Sequence, residues 1–348
     1  MSETTAKPSR REDRDDAIQS LAEQFSGLPD GRRRRLLEEM IATTLRLGHD
    51  DAHTGELKLI NAALKEMRYA NTVFKPWAHR SKISIFGSAR TPEDHPDYHA
   101  ARRFSELMGE AGWMSITGAG DGIMKAGHEG PGHEASFGLR IRLPFETTAN
   151  EVIASDPKLV NFHYFFTRKL MFLAHAEAVA SFPGGFGTMD EVFETLTLVQ
   201  TGKSNPIPIV LLEGEGGSYW PRWRNFIEKE LLENGWISEP DLSLFKIATS
   251  PEQARDIILQ AYRVYHSCRY VRDRFVIRLK RKISNEQCRE LQSRFGQIAK
   301  DGKFQISGPL ETEEDHLDLP RLHFLHIRRD FGMLRQLIDA INELPENP

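Results

Sequence analysis

From Ser81 onward, short apolar runs alternate with helical segments, and this alternation restricts the middle of the chain to a parallel sheet joined by crossover helices. Strands are predicted at 83–86, 113–117, 136–141, 178–182 and 207–212. Helices are predicted at 98–111, 122–129, 167–176, 189–200 and 220–232. Three of the strands run into glycine-bearing turns: Gly87-Ser88-Ala89-Arg90, Thr117-Gly118-Ala119-Gly120-Asp121-Gly122 and Pro183-Gly184-Gly185-Phe186-Gly187-Thr188. Ligands of open parallel sheets sit outside the carboxyl ends of the strands, where the strand order reverses. A 3-2-1-4-5 order would make the first and third turns face one ligand from two sides.

The flanks have a different pattern. The first sixteen residues are polar and charged and are expected to be disordered. Residues 30–70 show helical periodicity, with Leu36, Leu37, Met40, Ile41, Leu45 and Leu47 on one stripe and Leu57, Ile60, Leu64 and Met67 on another. Ser250-Pro251-Glu252-Gln253 predicts a capped helix start. Beyond about residue 267 the order becomes strand, helix, strand, strand, helix, and Ser284 and Gln287 form a capping box. The acidic run 311–318 is expected to be a solvated connection. The organisation is thus a tail and helical segment over 1–78, a doubly wound Rossmann-like nucleotide-binding α/β domain over 79–266, and a small α+β (βαββα) domain over 267–348.

Composition excludes several classes. The formal net charge of −4 gives no general attraction to nucleic acid. The Arg32–Arg35 run is matched by Glu38 and Glu39 at helical spacing, as on a solvated face. Two cysteines, Cys268 and Cys288, are too few for a disulfide framework or a four-thiolate metal site, which suits a reducing cytoplasm. No stretch approaches the ~20 apolar residues that span a bilayer. A cytoplasmic protein without membrane or nucleic-acid partners is expected.

None of the three turns is a dinucleotide fingerprint, because G-x-G-x-x-G would need glycine at Ile123, and none is a G-x-x-x-x-G-K-[ST] loop. The third is the most specific. Gly185 and Gly187 let backbone approach an anion, and Thr188 adds a hydroxyl where it is expected to open a helix, an arrangement suited to a phosphomonoester.

The segment PGGFGTMDE matches PGGxGTxxE, and FTRKLM supplies an upstream Arg-Lys pair. On these motifs the chain resembles the Lonely Guy (LOG) family of nucleoside 5′-monophosphate phosphoribohydrolases over roughly residues 82–265. GSAR and ITGAGDGIMKAG are similar to that family's first and second loops, and LTLVQTGK is most like its longer members. The resemblance implies Arg168 and Glu191 as the catalytic pair and Gly185, Gly187 and Thr188 as the phosphate loop. Ser88, Gly118, Gly120, Met171 and Glu194 follow as further substrate contacts. It also implies a nucleoside 5′-monophosphate as substrate, no cofactor or metal, and a homodimer or higher even assembly whose contact completes the site. Ala119 stands where the family more often has glycine, and its methyl is expected to narrow the pocket. Nothing identifies a pyridoxal-phosphate lysine, so the label lysine decarboxylase that some relatives carry is not adopted.

These residue types suit the reaction. Cleaving an N-glycosidic bond builds positive charge on the ribose, which a carboxylate at Glu191 would stabilise while activating water. The guanidinium of Arg168 offers a planar fork of donors for phosphate or sugar hydroxyls. A second reading of Glu191 stays open, since Thr188-Met189-Asp190-Glu191 is also an S/T-x-x-E capping box. Glu194 either orients water or Arg168, or is a solvated helix residue. His128-Glu129 and His133 lack metalloprotease HExxH spacing and are taken as loop histidines, and His323 and His326 as half-buried or exposed. The rival class is a non-catalytic nucleotide or cofactor carrier of the same fold.

Overall fold

The structure, a computed structural model, describes residues 10–29, 31–143 and 148–346. The expected disorder of residues 1–9 lies outside these. Contacts divide the chain into two compact units, one ending at Lys65 and one beginning at Glu66. In the first unit, helix α1 (Arg10–Ser26) begins inside the stretch expected to be disordered. Ile18 and Ala22, one turn apart, give it a buried face despite its charge. Helix α2 (Arg32–His49) follows, and there Arg34 pairs with Glu38 and Glu23 as a partly buried ion network. Helix α3 (Thr54–Phe74) starts in the first unit and ends in the second.

The second unit opens with the α/β layer. In chain order it runs β1 (Lys82–Phe86), α4 (Pro96–Glu110), β2 (Met114–Thr117), α5 (Ile123–Glu129), β3 (Ser136–Ile141) and β4 (Leu159–Phe162). Then come α6 (Phe165–Ala174), β5 (Ala178–Ser181), α7 (Phe186–Gln200), β6 (Ile209–Leu212), α8 (Tyr219–Phe226), β7 (Phe245–Ala248) and α9 (Pro251–Gln260). The seven strands lie in the order β4-β3-β2-β1-β5-β6-β7, and each neighbouring pair is parallel. This is the expected doubly wound order with one strand added at each edge. The order reverses between β1 and β5.

Alternate side chains feed two cores, as a two-sided sheet requires. Ile83, Ile85, Ala178 and Ala180 pack under α4, α5 and α9 with Phe104 and Ile258. Phe86, Val179, Leu139 and Leu211 pack on the opposite face with α6, α7, α8 and the end of α3, which supplies Ala70 and Phe74. Ser250 caps α9 as expected, yet Gln253 returns its oxygen to the Thr249 N–H at 2.6 Å, one residue before the cap.

The α+β part contains β8 (Tyr265–Val271), β9 (Arg274–Leu279), α10 (Asn285–Phe295), β10 (Gln305–Ser307), β11 (Arg321–Phe324) and α11 (Phe331–Glu343). It has one strand more than expected: β8 forms a hairpin with β9 at the edge of an antiparallel sheet ordered β10-β11-β9-β8. The Ser284–Gln287 capping box on α10 is complete. Two expectations fail here. Glu313 of the acidic run is buried, accepting from Arg278 Nη2 at 2.8 Å and Arg321 Nε at 2.9 Å, so this connection is pinned to the sheet. His323 and His326 are buried as well. Helix α11 docks on the α/β layer, where Arg335 Nη1 donates to the Pro206 carbonyl at 2.8 Å.

Candidate active site

The crossover at β1 and β5 places the first and third glycine turns side by side. Ser88 N donates to the Pro183 carbonyl at 3.1 Å, and Phe182 N to the Phe86 carbonyl at 2.8 Å, so the two turns are stitched by backbone. Next to them lies a cleft of about 430 Å³ lined by Ser88, Arg90, Gly118, Met124, Phe165, Arg168, Phe172, Gly185, Gly187, Thr188 and Glu191.

Helix α7 opens at Phe186 with Gly185 as its N-cap, and no side chain caps it. Met189 N bonds back to the Gly185 carbonyl, so Thr188 lies in the first helical turn rather than at the cap. This removes the capping-box reading of Glu191, whose carboxylate stands a further turn down the helix. Positions Gly185 and Gly187 border open space. They lie at the positive end of the helix dipole, where first-turn N–H groups have no intrahelical partner and anions are favoured in general. Gly184 has another purpose: a Cβ there would sit 2.1 Å from Thr188 Oγ1, which is tucked beneath the turn.

Glu191 is buried at the floor of the cleft, with 8% of its surface exposed. Desolvation drives its pKa up to about 7; the charges of Lys169 and Arg168 oppose the shift, and Glu194 and Asp190 add to it. The carboxyl is therefore poised to change protonation near neutrality, as a group used in proton transfer should be.

Arg168 projects from α6 onto the same cleft. Its Nε donates to the Leu139 carbonyl at 2.7 Å and its guanidinium lies 5.2 Å from the Phe172 ring centroid. Gly118 is what makes room for it, because a Cβ on Gly118 would fall 2.3 Å from Arg168 Nη2. The neighbouring Lys169 faces α7, where it pairs with Glu194 at 2.6 Å and Asp190 at 2.9 Å. Burial alone would lower its pKa, yet these carboxylates raise it.

Not every expected contact reaches the cleft. Met171 is buried in the core. Glu194 is engaged by Lys169 and does not touch the cleft lining. Gly120 is screened by Met124, whose Cε lies 2.6 Å from where its Cβ would stand. The Ala119 methyl does not narrow the pocket. Ala119 adopts φ 64 and is wholly buried, with its Cβ turned toward Gly138. Nor is His128 a loop histidine, for it lies in α5 and is completely buried.

Sequence reasoning missed Glu66, which comes from α3 to the start of α6. Its carboxylate accepts from His163 N at 2.8 Å and from Thr167 Oγ1 at 2.6 Å, tying the end of α3 to the entry and first turn of α6. Arg90, Met124, Phe165 and Phe172 also join the lining.

A larger cleft of about 670 Å³ lies beyond Pro183, lined by His95, Asp97, Glu213 and Tyr219 among others. It lacks an open helix end. Glu213 already accepts from Tyr219 N at 2.8 Å and Trp220 N at 3.3 Å, at the N-terminus of α8. The smaller cleft is therefore the candidate site, since it combines the uncapped helix end with Arg168 and Glu191.

Fold and geometry define an α/β protein in which an uncapped helix end shares a cleft with a buried carboxyl and an arginine. Residues 118–258 match the family described as possible lysine decarboxylase. Among curated relatives, the cytokinin riboside 5′-monophosphate phosphoribohydrolase LOG3 of Arabidopsis thaliana is 28% identical over 146 residues, 41% of this chain and 63% of the relative. LOG4 of the same plant is 30% identical over 116 residues, 33% of this chain and 50% of the relative. The chain thus spans between half and two thirds of these relatives. The molybdenum cofactor carrier protein of Chlamydomonas reinhardtii is 18% identical, with a TM-score of 0.38, over 52% of this chain and 97% of that one. The α/β segment is thus similar in sequence to this family and to the LOG phosphoribohydrolases.

Proposed function

We propose that the protein hydrolyses the N-glycosidic bond of a nucleoside 5′-monophosphate such as AMP, releasing free base and ribose 5-phosphate. The observation that carries this reading is the buried Glu191 carboxyl in one cleft with Arg168 and an uncapped glycine-rich helix end. The names of the curated relatives support it.

In this reading the 5′-phosphate takes the N–H groups of α7 at Gly185–Thr188, and Arg168 grips phosphate or sugar hydroxyls. Glu191, ionised, faces C1′. As the bond from C1′ to the base nitrogen breaks, its electron pair leaves with the base, and the carboxylate stabilises the positive charge developing on the ribose. Water adds its oxygen to C1′, one proton passing to Glu191 and on to the base. The chain's own residues suffice for each of these steps.

Incubation with AMP, GMP, CMP and UMP, followed by chromatography for free base, tests the assignment. Release from at least one is expected. Binding without release would favour the carrier reading, and neither would remove both.

Phe165 of α6 and Phe186 of α7 line the cleft and are exposed, Phe186 at 96%, and Phe166 and Leu170 of α6 are exposed apolar side chains as well. An apolar rim of this kind fits a contact with a second copy. We therefore place the working form as a homodimer in the cytoplasm. Light scattering should give twice the chain mass, and Phe166→Asp with Leu170→Asp should give the monomer with reduced turnover. A wild-type monomer with full activity would refute the dimer.

A further inference from the structure

The second glycine turn, Thr117 to Gly120, is held from beneath by a buried polar cluster that no part of the proposed reaction uses. His128 of α5 stands at its centre. Its Nε2 lies 3.0 Å from the Phe137 carbonyl and 2.9 Å from Thr117 Oγ1. A carbonyl only accepts, so Nε2 carries the proton. Nδ1 is then a lone pair, and Asn150 Nδ2 donates to it at 3.2 Å and to the Gly120 carbonyl at 2.8 Å. Thr117 Oγ1 in turn accepts from Ala119 N at 3.1 Å, and Asn150 N donates to the Ala119 carbonyl at 2.9 Å.

Both ring nitrogens of a fully buried imidazole are thus engaged, Nε2 by β3 and Thr117 and Nδ1 by Asn150, which itself holds Gly120. The turn needs the restraint. Ala119 at its middle holds φ 64, a left-handed conformation that a residue with a Cβ adopts only where its surroundings impose it. The restraint has a place to act, because Gly118 is the residue against which the Arg168 guanidinium is seated, with a would-be Cβ only 2.3 Å from Nη2. The far side of that guanidinium is anchored to β3 through the Nε bond to the Leu139 carbonyl at 2.7 Å. Phe137, two residues earlier on the same strand, is the carbonyl that His128 grips. Turn and strand, the two walls of the Arg168 seat, therefore share one tie.

We propose that His128, with Asn150, is a positioning residue for Arg168: it locks the Thr117–Gly120 turn to strand β3 and so fixes the seat in which the guanidinium meets the substrate. His128 touches neither the cleft nor the substrate. Its role is transmitted through Gly118 and Leu139. The kinetic part of the test rests on the phosphoribohydrolase reading, while the structural part does not.

The variants are His128→Leu, which removes both ring contacts, and His128→Gln, whose amide keeps a donor for the Phe137 carbonyl. Asn150→Ala cuts only the tie to Gly120 and Nδ1. Crystal structures and amide exchange of each full-length protein are compared with wild type. His128→Leu and Asn150→Ala should speed exchange across 117–122 and break the bond between Arg168 Nε and Leu139, and His128→Gln should restore both. An unmoved turn and Arg168 in Asn150→Ala overturns the proposal, whatever the activity, and keeps it testable should His128→Leu fail to fold. With AMP as substrate, Asn150→Ala should lower kcat by about tenfold or more, in line with small misplacements of catalytic groups. That loss should vanish in an Arg168→Ala background. An equal loss with and without Arg168 would show a structural role only. If wild type releases no base from any nucleotide, the reaction assignment falls, and the structural comparison alone decides the positioning role.

Discussion

Glu191→Gln is expected to abolish base release while raising the melting temperature above neutral pH. The carboxyl has 8% of its surface exposed, and desolvation moves its pKa from 4.5 to about 7. The sign follows from linkage. Below pH 4.5 the group is protonated in both folded and unfolded chains and costs nothing. Between 4.5 and 7 the unfolded chain ionises first, so stability falls as pH rises, and above 7 the full penalty is present. A shift of this size corresponds to about 3 kcal/mol. Glutamine is neutral at every pH and similar in shape, so the variant should melt several degrees higher at pH 8 and show no gain near pH 4. Turnover should fall by orders of magnitude with nucleotide binding retained, because the anion site is built from the backbone of α7. Wild-type kcat/KM should climb with pH through about 7 and then level, since the ionised form does the work. A Glu191→Gln protein that turned over AMP normally would remove this residue from the chemistry. One that melted lower at pH 8 would contradict its buried, unfavourable placement.

The parts of this architecture visible in the sequence are those whose signal is local. Strands β1, β2, β3, β5 and β6 are buried on both faces or nearly so and show as apolar runs. The strands missed lie at sheet edges. β4 (Leu-Val-Asn-Phe) and β7 (Phe-Lys-Ile-Ala) expose part of their length, and β8 mixes tyrosine, histidine, serine and arginine, so none shows as a continuous apolar run. The site divides in the same way. Arg168, Glu191 and the glycine turn fall within two short motifs close together in the chain, either side of β5. Glu66 reaches Thr167 from 101 residues away, and His128 meets Asn150 across 22. No periodicity marks such residues, because their partners are set by the fold. The Thr188 capping box misled because the pattern is right but the start is not. Backbone bonds of Ser88 and Phe182 hold the turn so that α7 begins earlier, at Phe186, with poor helix formers in its first positions. Tertiary restraint overrode the local signal.

Gly118→Ala should reproduce much of the damage of Arg168→Ala while leaving both proposed catalytic residues unsubstituted. The backbone of Gly118 is not in the left-handed region, so alanine meets no conformational barrier there. What it meets is Arg168 Nη2 at 2.3 Å and Met124 Sδ at 2.5 Å, both at the far ends of flexible side chains. Such ends swing aside cheaply, so the melting temperature should shift by little. The guanidinium cannot swing aside and also stay where the substrate needs it. Misplacing a group of this kind by about 1 Å costs roughly 10²-fold in rate, and a loss of that order is expected. Arg168→Ala should remove at least as much activity, again with small loss of stability, since the side chain is only partly buried and spans the rim of the cleft. The two changes together should be little worse than Arg168→Ala alone, because the added methyl then meets only the flexible Met124 thioether, and its effect on Arg168 is gone. Full activity in Gly118→Ala would show that the observed seat of Arg168 is not the working one. A large loss of melting temperature would show that the second glycine turn serves the core rather than the site.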